Sequence, residues 1–455
     1  MSMKSKASTD QTAITHFLTR AVENVYPTRE KLGERLASDT RITAYLGLDP
    51  TGPSLHLGHA IAIRKLAELQ KLGHRVILLI GDFTAMIGDP TDKAATRKQL
   101  TREEVLVHAK HYKKQASKFL DFDGSNAVEI KYNSEWLAKM SFAETIQLAS
   151  NFTVQQLMNR DMFRKREHWQ IKCRHCGNFF FSPIQFGTIE AFESAVLKGN
   201  KAVCPICHEE TPLEKEDFIA PTLSPIYEHE FLYPIMQGYD SVAMDVDLEI
   251  GGNDQTFNML AGRTLMKKMR QKEKYVLTTK LLVDSAGKKM GKTEGNMVAL
   301  DDTPEDMYGK VMSWTDGMII PGFELCTDVV DEEIHKISDT LKAGENPMNS
   351  KQRLAQEVVR LLCGDTQAKK AAEHFLSIHC SGEMPVDIPD LKIYEPMTLS
   401  DALVASKFVS SRSEARRQIE QGGVKVDGNV VRDGDLTVTV GSVIQKGKRH
   451  FVRLV

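Results

Sequence analysis

The sequence of 455 residues contains no long hydrophobic run. Its strongest apolar segment, Val76 to Ile80, is far shorter than the ~18 residues that a membrane helix needs, and is typical of a buried strand. Residues 1–10 are polar and lack the apolar core of a secretory signal. We therefore expect a cytoplasmic protein without a signal peptide or a membrane partner.

The chain also lacks an excess of either charge and a disulfide framework. The 59 Lys and Arg residues nearly balance the 61 Asp and Glu residues, so any nucleic-acid partner has to be met by a local basic patch. Its seven cysteines are an odd number, and four of them form two Cys-x-x-Cys pairs, which indicates a reducing compartment. A hydrophobic content of 41% excludes extensive disorder.

The order of predicted elements indicates an α/β protein with further domains, since the length predicts about three. A strand at Ile42 to Leu48, a turn, a helix from about Leu57 to Leu72 and a strand at Arg75 to Ile80 form a βαβ unit. We predict an α/β domain over residues 1–300, interrupted by a Cys-rich insertion at 171–213. A helical domain at 301–390 and a small α+β module at 391–455 follow.

Two segments of the α/β domain have the chemistry of a phosphate site. His56-Leu-Gly-His59 lies where a strand and a Pro/Gly-rich turn meet a helix start, the position at which such sheets bind nucleotides. Residues 288–293 form a cluster of three lysines with a glycine and a threonine, which suits a polyphosphate. Taken singly, each segment has an ordinary alternative, a helix start with two surface histidines or a solvated basic turn.

The Cys-rich insertion predicts a structural zinc site. Two Cys-x-x-Cys pairs separated by an aromatic stretch suit a closed tetrahedral site of four thiolates. The adjacent His175 and His208 are not expected to be ligands. The predicted ligands are Cys173, Cys176, Cys204 and Cys207.

The two phosphate-binding segments together resemble those of the class I aminoacyl-tRNA synthetases, and the intervening motifs resemble the tyrosyl-tRNA synthetase family. The segments that carry the resemblance, in chain order, are residues 45–59 (YLGLDPTGPSLHLGH), 88–93 (GDPTDK) with Arg97, 233–237 (YPIMQ) with Asp240, 251–255 (GGNDQ) and 289–293 (KMGKT). The resemblance covers nearly the whole chain apart from the Cys-rich insertion and about the first 30 residues. It implies a Rossmann-like catalytic domain.

The resemblance also implies residue roles. Tyr45 and Asp240 would bind the phenol of tyrosine and reject phenylalanine, which leaves such a buried pair unmet; this enzyme family is itself the standard example of that kind of selectivity. Other tyrosine contacts would come from Asp89, Tyr233, Gln237 and Gln255. ATP would be bound by Gly47, Asp49, Thr51, His56, Gly58, His59, Gly252, Asp254, Lys289 and Lys292. The catalytic set would be His56, His59, Lys93, Arg97, Lys289, Lys292 and Thr293.

The implied reaction is the activation of tyrosine by ATP with Mg²⁺, followed by transfer to tRNA(Tyr), in a homodimer that serves protein synthesis. The substrate carboxylate is the nucleophile, so the protein positions the substrates and stabilises phosphate charge. Two alternatives stay open: a synthetase-derived RNA-binding protein without catalysis, and a tryptophanyl enzyme. The intact histidine and lysine motifs disfavour the first, and the Tyr45/Asp240 pair disfavours the second.

The last module has a local basic excess. From residue 396 onward, ten Lys and Arg residues face six Asp and Glu residues, a difference of +4. Residues 411–417 and 422–428 resemble the S4 RNA-binding domain, which implies contacts with RNA phosphates. The predicted RNA-binding residues are Arg412, Arg416, Arg417 and Lys425.

Overall fold

Helices and strands alternate along the first part of the chain in this computed structural model, as the sequence predicts. The structure describes residues 7–89, 100–158, 167–176, 179–181, 201–204, 207–212, 218–223, 227–283, 297–380, 388–393, 395–406, 408–409, 411–447 and 450–455. Within them, no helix is both long and apolar enough to cross a membrane.

The strands, in chain order, are β1 (Val22–Tyr26), β2 (Thr43–Leu48), β3 (Arg75–Ile80), β4 (Glu129–Tyr132), β5 (Glu167–Lys172), β6 (Phe179–Phe181), β7 (Lys201–Val203), β8 (Glu210–Pro212), β9 (Phe218–Leu223), β10 (Leu248–Gly252), β11 (Tyr275–Thr279), β12 (Asp390–Leu391), β13 (Met397–Thr398), β14 (Val424–Val426), β15 (Asn429–Val430), β16 (Thr437–Val438), β17 (Val443–Lys446) and β18 (His450–Leu454). The helices are α1 (Gln11–Thr19), α2 (Arg29–Ala37), α3 (Leu57–Lys71), α4 (Thr84–Ile87), α5 (Arg102–Ala109), α6 (Tyr112–Ala116), α7 (Ser134–Leu137), α8 (Phe142–Ala149), α9 (Val154–Met158), α10 (Glu228–Met244), α11 (Thr256–Arg270), α12 (Pro304–Met312), α13 (Ile319–Cys326), α14 (Asp331–Lys342), α15 (Pro347–Cys363), α16 (Asp365–Cys380), α17 (Leu399–Ala405) and α18 (Arg412–Glu420).

Six strands form the main sheet, in the order β1-β11-β10-β2-β3-β4. All neighbouring strands from β11 to β4 are parallel, and β1 is antiparallel at one edge. The chain proceeds from β2 towards β4 on one side and from β10 to β11 on the other, so the strand order reverses between β2 and β10. Open α/β sheets bind ligands beyond the carboxyl ends of the strands at such a reversal. The predicted Rossmann-like α/β architecture is confirmed.

The predicted βαβ unit is confirmed to within one residue at every boundary. Its second strand, β3, carries the apolar run Val76 to Ile80, in which every side chain is at most 2% exposed. Helix α3 packs on β2, β3 and β10 through apolar residues at helical spacing. This packing fixes the start of α3 beside the carboxyl end of β2, where the histidine motif lies.

Among the described residues, the Cys-rich insertion at 171–213 and its flanks contain two small antiparallel sheets, with β5 starting before the insertion and β9 lying after it. Strands β6, β5 and β9 form one, and β7 pairs with β8 in the other. The connection from β5 to β6 carries Cys173 and Cys176, and the connection from β7 to β8 carries Cys204 and Cys207. Each Cys-x-x-Cys pair therefore lies in the turn of a hairpin, the arrangement of a zinc ribbon.

The chain divides into two compact units, Met1–Asp302 with Ser313–Leu354, and Thr303–Met312 with Ala355–Val455. In the second unit, α12 packs against α16, with the rings of Tyr308 and Phe375 5.2 Å apart. Strands β12-β18-β17-β14-β15 form a sheet whose core includes Leu403, Ile419 and Ile444. This confirms a small α+β module at the C-terminus, whereas the domain boundaries drawn at residues 300 and 390 stay predictions.

Candidate functional site

The crevice at the strand reversal begins at the carboxyl ends of β2 and β10. Asp49 follows β2 directly, and Gly251 and Gly252 end β10. Helix α3 then begins after His56, so its first backbone amides face a site suited to phosphate. The predicted ATP-binding segments of residues 47–59 and 251–255 therefore meet at one edge of the sheet.

The two histidines of this crevice cap α3 by bonding to its backbone. The Gly58 amide donates to His56 Nδ1 at 3.1 Å, and the His56 amide donates to His59 Nδ1 at 3.1 Å. A ring nitrogen that accepts a hydrogen bond carries no proton, so both rings hold their proton on Nε2. That tautomer can donate to a phosphate oxygen. The two histidines therefore cap the helix start, and the same arrangement leaves their Nε2 protons for the predicted contacts with phosphate.

The chain beyond the predicted lysine loop returns to the histidine motif. The Leu57 amide donates to Val298 O at 3.1 Å, and the Leu300 amide donates to Leu55 O at 2.8 Å. The segment 284–296, which contains Lys289, Lys292 and Thr293, lies outside the described residues. Lys93 and Arg97 lie outside them as well. Residues 297–300 nevertheless tie the end of the lysine segment to the start of α3.

Glycines make room for functional side chains here. A Cβ on Gly58 would lie 2.9 Å from the His56 ring, and a Cβ on Gly252 would lie 2.5 Å from Asp254 Oδ1. By contrast, a Cβ on Gly47 would make only ordinary contacts, the nearest 3.9 Å away. Packing therefore favours glycine at 58 and 252, whereas at Gly47 a side-chain carbon would fit against Tyr45 and Leu79.

Tyr45 and Asp240, the predicted phenol-binding pair, are both buried in the crevice. Asp240 accepts from Trp136 Nε1 at 2.7 Å and from Asn133 Nδ2 at 3.3 Å. Burial raises the pKa of the Asp240 carboxyl, and these two hydrogen bonds oppose that rise. Burial also raises the pKa of Tyr45, so its hydroxyl keeps its proton. The Tyr45 hydroxyl lies 3.0 Å from Ser241 Oγ.

Asp49 joins the two halves of the crevice. Its Oδ2 accepts from the Tyr233 hydroxyl at 2.8 Å, and its Oδ1 accepts from Thr84 Oγ1 at 2.8 Å. A Cβ on Gly81 would lie 1.9 Å from the same Oδ1, so the close approach of this strand end requires glycine. Thr51 completes the turn, because its amide donates to Asp49 O at 2.8 Å. The structure therefore brings Asp49 and Tyr233, predicted for different substrates, into direct contact.

The remaining predicted tyrosine contacts form one hydrogen-bonded chain. Gln255 Nε2 donates to Asp89 Oδ2 at 2.7 Å. Asn258 Nδ2 donates to Gln255 Oε1 and to Gln237 Oε1, each at 2.9 Å. Gln237 Nε2 in turn donates to Glu249 Oε1 at 3.1 Å. Three residues predicted at separate motifs thus share one network.

Sequence reasoning missed the residues that support this network. They are Asn133, Trp136, Ser241, Glu249, Asn258 and Lys274. A signal was present for two of them, because Glu249 stands between apolar residues of a strand and Lys274 directly precedes another strand. A charge in a buried strand needs a partner, which the pattern alone does not identify.

The four predicted zinc ligands converge. Their sulfur atoms all lie within 4.8 Å of one another, with Cys173 and Cys204 buried. The Cys173–Cys207 and Cys176–Cys204 sulfur distances are 3.6 and 3.8 Å. A tetrahedron with Zn–S bonds of about 2.3 Å has edges of about 3.8 Å, whereas a disulfide is about 2.05 Å long. The donor set and its spacing therefore fit a tetrahedral metal ion.

The predicted RNA-binding arginines lie on α18 and are exposed. Arg412 pairs with Asp401, and Arg416 pairs with Asp435 at 3.0 Å. The Asp401 pKa is lowered by its hydrogen bonds with Thr398 and Arg412. Arg417 is exposed on the same helix, and Lys425 is half-buried on β14. The surface of α18 thus presents exposed cations.

Residues 37–181 and 212–379 match the family described as tRNA synthetases class I (W and Y), and residues 397–444 match the S4 domain. The chain is 39% identical to a tyrosine–tRNA ligase of Thermotoga maritima over 429 residues, 93% of each chain. It is 38% identical to tyrosine–tRNA ligase 2 of Clostridium acetobutylicum over 94% of each chain.

A solved structure shares the fold. The tyrosyl-tRNA synthetase from Archaeoglobus fulgidus, complexed with L-tyrosine, aligns with a TM-score of 0.53 at 21% identity, covering 80% of this chain and all of that one. A C-terminally truncated mitochondrial tyrosyl-tRNA synthetase of Aspergillus nidulans gives a TM-score of 0.56 at 18% identity, covering 80% of this chain and 94% of the truncated chain. At these identities the likeness supports the fold.

Proposed function

The chain belongs to the tyrosine–tRNA ligases, within the class I synthetases, and we propose how its residues divide the reaction. The observation that carries the proposal is that the buried Tyr45 and Asp240 share one crevice with the capped histidine motif. The carboxylate of tyrosine attacks the α-phosphorus of ATP, pyrophosphate leaves, and the tyrosyl group then moves to the 3′ end of tRNA(Tyr).

At the tyrosine end, Tyr45 and Asp240 bind the phenol. Asp89, Tyr233 and Gln237 hold the ammonium, and Gln255 lies on the carboxylate side. Support comes from Asn258, which donates to both Gln237 and Gln255, so that Gln237 donates onward to Glu249 and Gln255 donates onward to Asp89. A pocket whose side chains are held before the substrate arrives loses less entropy on binding.

At the phosphate end, His56 and His59 donate from Nε2 to the phosphates of ATP, supported by their Nδ1 contacts with backbone amides. Gly47, Thr51, Gly58, Gly252 and Asp254 line the nucleotide, with Asp254 on the ribose. Lys93, Arg97, Lys289, Lys292 and Thr293 neutralise the leaving pyrophosphate. Magnesium enters with ATP as the partner of the phosphate oxygens.

The first experiment is ATP–pyrophosphate exchange with tyrosine, phenylalanine and tryptophan in parallel. We expect exchange with tyrosine alone, and a roughly 100- to 1,000-fold loss in His59→Ala, since one preorganised donor contributes about this much. His374→Ala, which changes an exposed histidine of α16, is the matched control. Exchange with tryptophan would overturn the specificity, and no exchange by folded protein would leave RNA binding as the surviving function.

We further propose that the four-cysteine cluster binds one structural Zn²⁺. The ion would be held by Cys173, Cys176, Cys204 and Cys207 and would fix the two hairpins of the ribbon. Metal analysis of purified protein should give about one zinc per chain, and Cys204→Ala should lose it. Cys326→Ala, at a buried cysteine of α13, should keep it. Equal zinc in both variants would place the metal elsewhere.

We also propose a cytoplasmic location. The sulfur distances of the four cysteines are too long for disulfides, and cysteines stay reduced in the cytoplasm.

We propose that the exposed apolar face of α8 and α9 is where two copies form a homodimer. Phe142 is 80% exposed, Ile146 55% and Val154 64%, which is unusual for large apolar side chains so close in sequence. Sedimentation should give a dimer at micromolar concentration and a monomer for Phe142→Glu with Ile146→Lys. Val330→Lys, at an apolar residue 58% exposed elsewhere, should stay dimeric. A monomeric wild type would contradict the proposal.

A further inference from the structure

An ion pair lies buried behind the tyrosine end of the crevice. Lys274 is 0% and Glu249 2% exposed, and the two side chains are in direct contact. Burying two charges costs several kcal/mol per ion before pairing, so such a pair is a weak source of stability. No role in the reaction proposed above uses Lys274. Its position calls for a different explanation.

Lys274 is held as an ammonium. Its Nζ donates to Glu249 Oε2, to Ser241 Oγ at 2.7 Å and to Met259 O at 3.1 Å. Burial lowers the pKa of Lys274, and the contact with Glu249 opposes that fall. Three acceptors match the three protons of an ammonium, whereas a neutral amine has protons for only two of them. Gly262 makes space for it, because a Cβ there would lie 2.4 Å from Nζ and 2.9 Å from Ser241 Oγ.

The ammonium sets the direction of the next hydrogen bond. Ser241 Oγ already accepts from Lys274, and its other polar neighbour among the described residues is the Tyr45 hydroxyl, 3.0 Å away. If Tyr45 donated to Ser241, the serine proton would be left buried without an acceptor, at a cost of about 1–3 kcal/mol. Ser241 therefore donates to Tyr45. The Tyr45 proton then points to Glu249, the other residue that hydrogen-bonds Tyr45, or to a bound ligand; both Glu249 oxygens already accept, from Lys274 and Gln237, which favours the ligand.

Glu249 lies beside this chain in the sheet. It pairs with Tyr45 across the parallel strands β2 and β10, and its second oxygen accepts from Gln237. The Lys274 ammonium is also 5.8 Å from the centre of the Tyr45 ring, a favourable cation–π distance. One ion pair thus touches residues proposed for both the phenol and the ammonium of the substrate.

We propose that Lys274 is a positioning residue that fixes the direction of a hydrogen-bond chain through Ser241, so that Tyr45 donates to the phenol oxygen of tyrosine. This inference rests on the proposed function, in which Asp240 accepts the phenol proton. The chain runs from an ammonium that only donates to Asp240, whose ionised form only accepts and is favoured, against the effect of burial, by the hydrogen bonds from Trp136 and Asn133. The bound group has to accept from one side and donate to the other, as a phenol does.

This direction separates two ligands of nearly equal size. The amino group of 4-aminophenylalanine donates two hydrogen bonds but accepts poorly, because its lone pair is delocalised into the ring. In the wild type it meets the Tyr45 proton with no good acceptor. If Tyr45 gave its proton to Glu249 instead, its oxygen would accept from that amino group. The preference for tyrosine over 4-aminophenylalanine therefore reports the direction of the chain.

The test measures binding of both amino acids by calorimetry without ATP, and their kcat/KM in pyrophosphate exchange. Ser241→Ala keeps the Lys274–Glu249 pair and removes only the link to Tyr45. We expect its preference for tyrosine over 4-aminophenylalanine to fall about 10-fold or more, within the range of one hydrogen bond involving a charged group. Its KM for ATP should stay within about 2-fold of the wild type.

A double variant provides a second test in case Ser241→Ala does not fold. Lys274→Met with Glu249→Gln removes both charges together, which is milder than leaving one unpaired. It should show the same loss of preference. Lys65→Met is the matched control, because Lys65 is also buried and paired, with Glu68, on α3. It should lower stability and leave the preference unchanged.

The outcomes separate this inference from the proposed function. A folded Ser241→Ala or double variant with the wild-type preference would overturn the role of Lys274 while activity stands. A wild type that binds tyrosine but gives no exchange would contradict the proposed function, and calorimetry of the same variants would still decide the direction of the chain. A wild type that binds neither ligand would overturn both.

Discussion

The tyrosine end of the crevice and the C-terminal module use charged side chains in opposite ways. In the crevice, Asp240, Glu249 and Lys274 are at most 2% exposed, and each is hydrogen-bonded to a defined partner. In the module, the side chains of Arg412 and Arg416 are 75% and 60% exposed, and their ion-pair partners lie at the surface. The two regions are therefore suited to different kinds of recognition.

The difference follows from the dielectric around each charge. Water cannot replace a missing partner inside the crevice, so the identity and direction of a single hydrogen bond decide which ligand fits. At the surface, water and salt screen each charge, and binding grows with the number of phosphate contacts. We therefore expect single substitutions to change selectivity in the crevice and salt dependence in the module.

The largest effect should come from Asp240→Asn. The carboxylate that would accept the phenol proton becomes an amide of nearly the same shape. We expect kcat/KM for tyrosine in pyrophosphate exchange to fall roughly 100- to 1,000-fold, because a buried donor or acceptor left unpaired costs several kcal/mol. The value for phenylalanine, which makes no such bond, should change less than about 3-fold.

Asp82→Asn is the matched control for that substitution. Asp82 is 2% exposed and bonds to the amide and hydroxyl of Ser134, so it is equally buried and equally paired. Its replacement should cost stability and keep the ratio of tyrosine to phenylalanine. If Asp240→Asn kept that ratio too, the hydrogen bond of Asp240 would not determine selectivity. The contrast between the two regions would then fail.

A smaller effect should appear in stability against pH, at His74. Burial, with help from Arg35 and Arg41, lowers the pKa of this ring from 6.5 to about 4, and its Nδ1 accepts from the Ile42 amide at 3.4 Å. The unfolded chain therefore binds more protons between these two values, and stability falls as the pH falls below about 6.5. From pH 7.5 to pH 5 this group should cost roughly 2 kcal/mol.

The measurement is urea unfolding of wild type and His74→Asn across that pH range. Asparagine can still accept from the Ile42 amide and has no proton to gain, so the difference between the two proteins isolates this histidine. The unfolding free energy of the wild type should fall about 2 kcal/mol further than that of the variant. If the unfolding free energies of the two proteins fell in parallel, burial of His74 would not be the cause of the lower stability at low pH. His374→Asn, on the exposed face of α16, should follow the wild type.

Much of the crevice could be predicted from the sequence because its motifs are local. The turn after β2 and the histidine motif are contiguous, so their residues have to meet the start of α3. Strand and helix bounds in the βαβ unit followed from the apolar run of β3 and the Pro/Gly turn. The four cysteines were predictable for the same reason, since paired spacing defines a metal site before any fold is known.

The supporting network could not be predicted because its members are distant in sequence. Ser241 reads as one polar residue on a helix, and Lys274 as a surface lysine before a strand. Only the pairing of β2 with β10 and the packing of α10 against α11 bring them to Tyr45. The direction of the hydrogen bonds depends on that three-dimensional arrangement, which no spacing encodes.

The smallest effect should come from Arg417→Gln in the module. If this surface binds RNA through phosphates, the loss of one cation should weaken tRNA binding about 3- to 5-fold near 0.1 M salt and lower the slope of log Kd against log salt by roughly 0.7–0.9. Filter binding across a salt series measures both, and exchange with tyrosine should not change. Arg412→Gln should weaken tRNA binding less than Arg417→Gln, because Arg412 is already paired with Asp401. If the slope did not change in Arg417→Gln, or if tyrosine activation fell equally, phosphate contacts of this surface would not explain RNA binding. The contrast with the crevice would then not rest on charge.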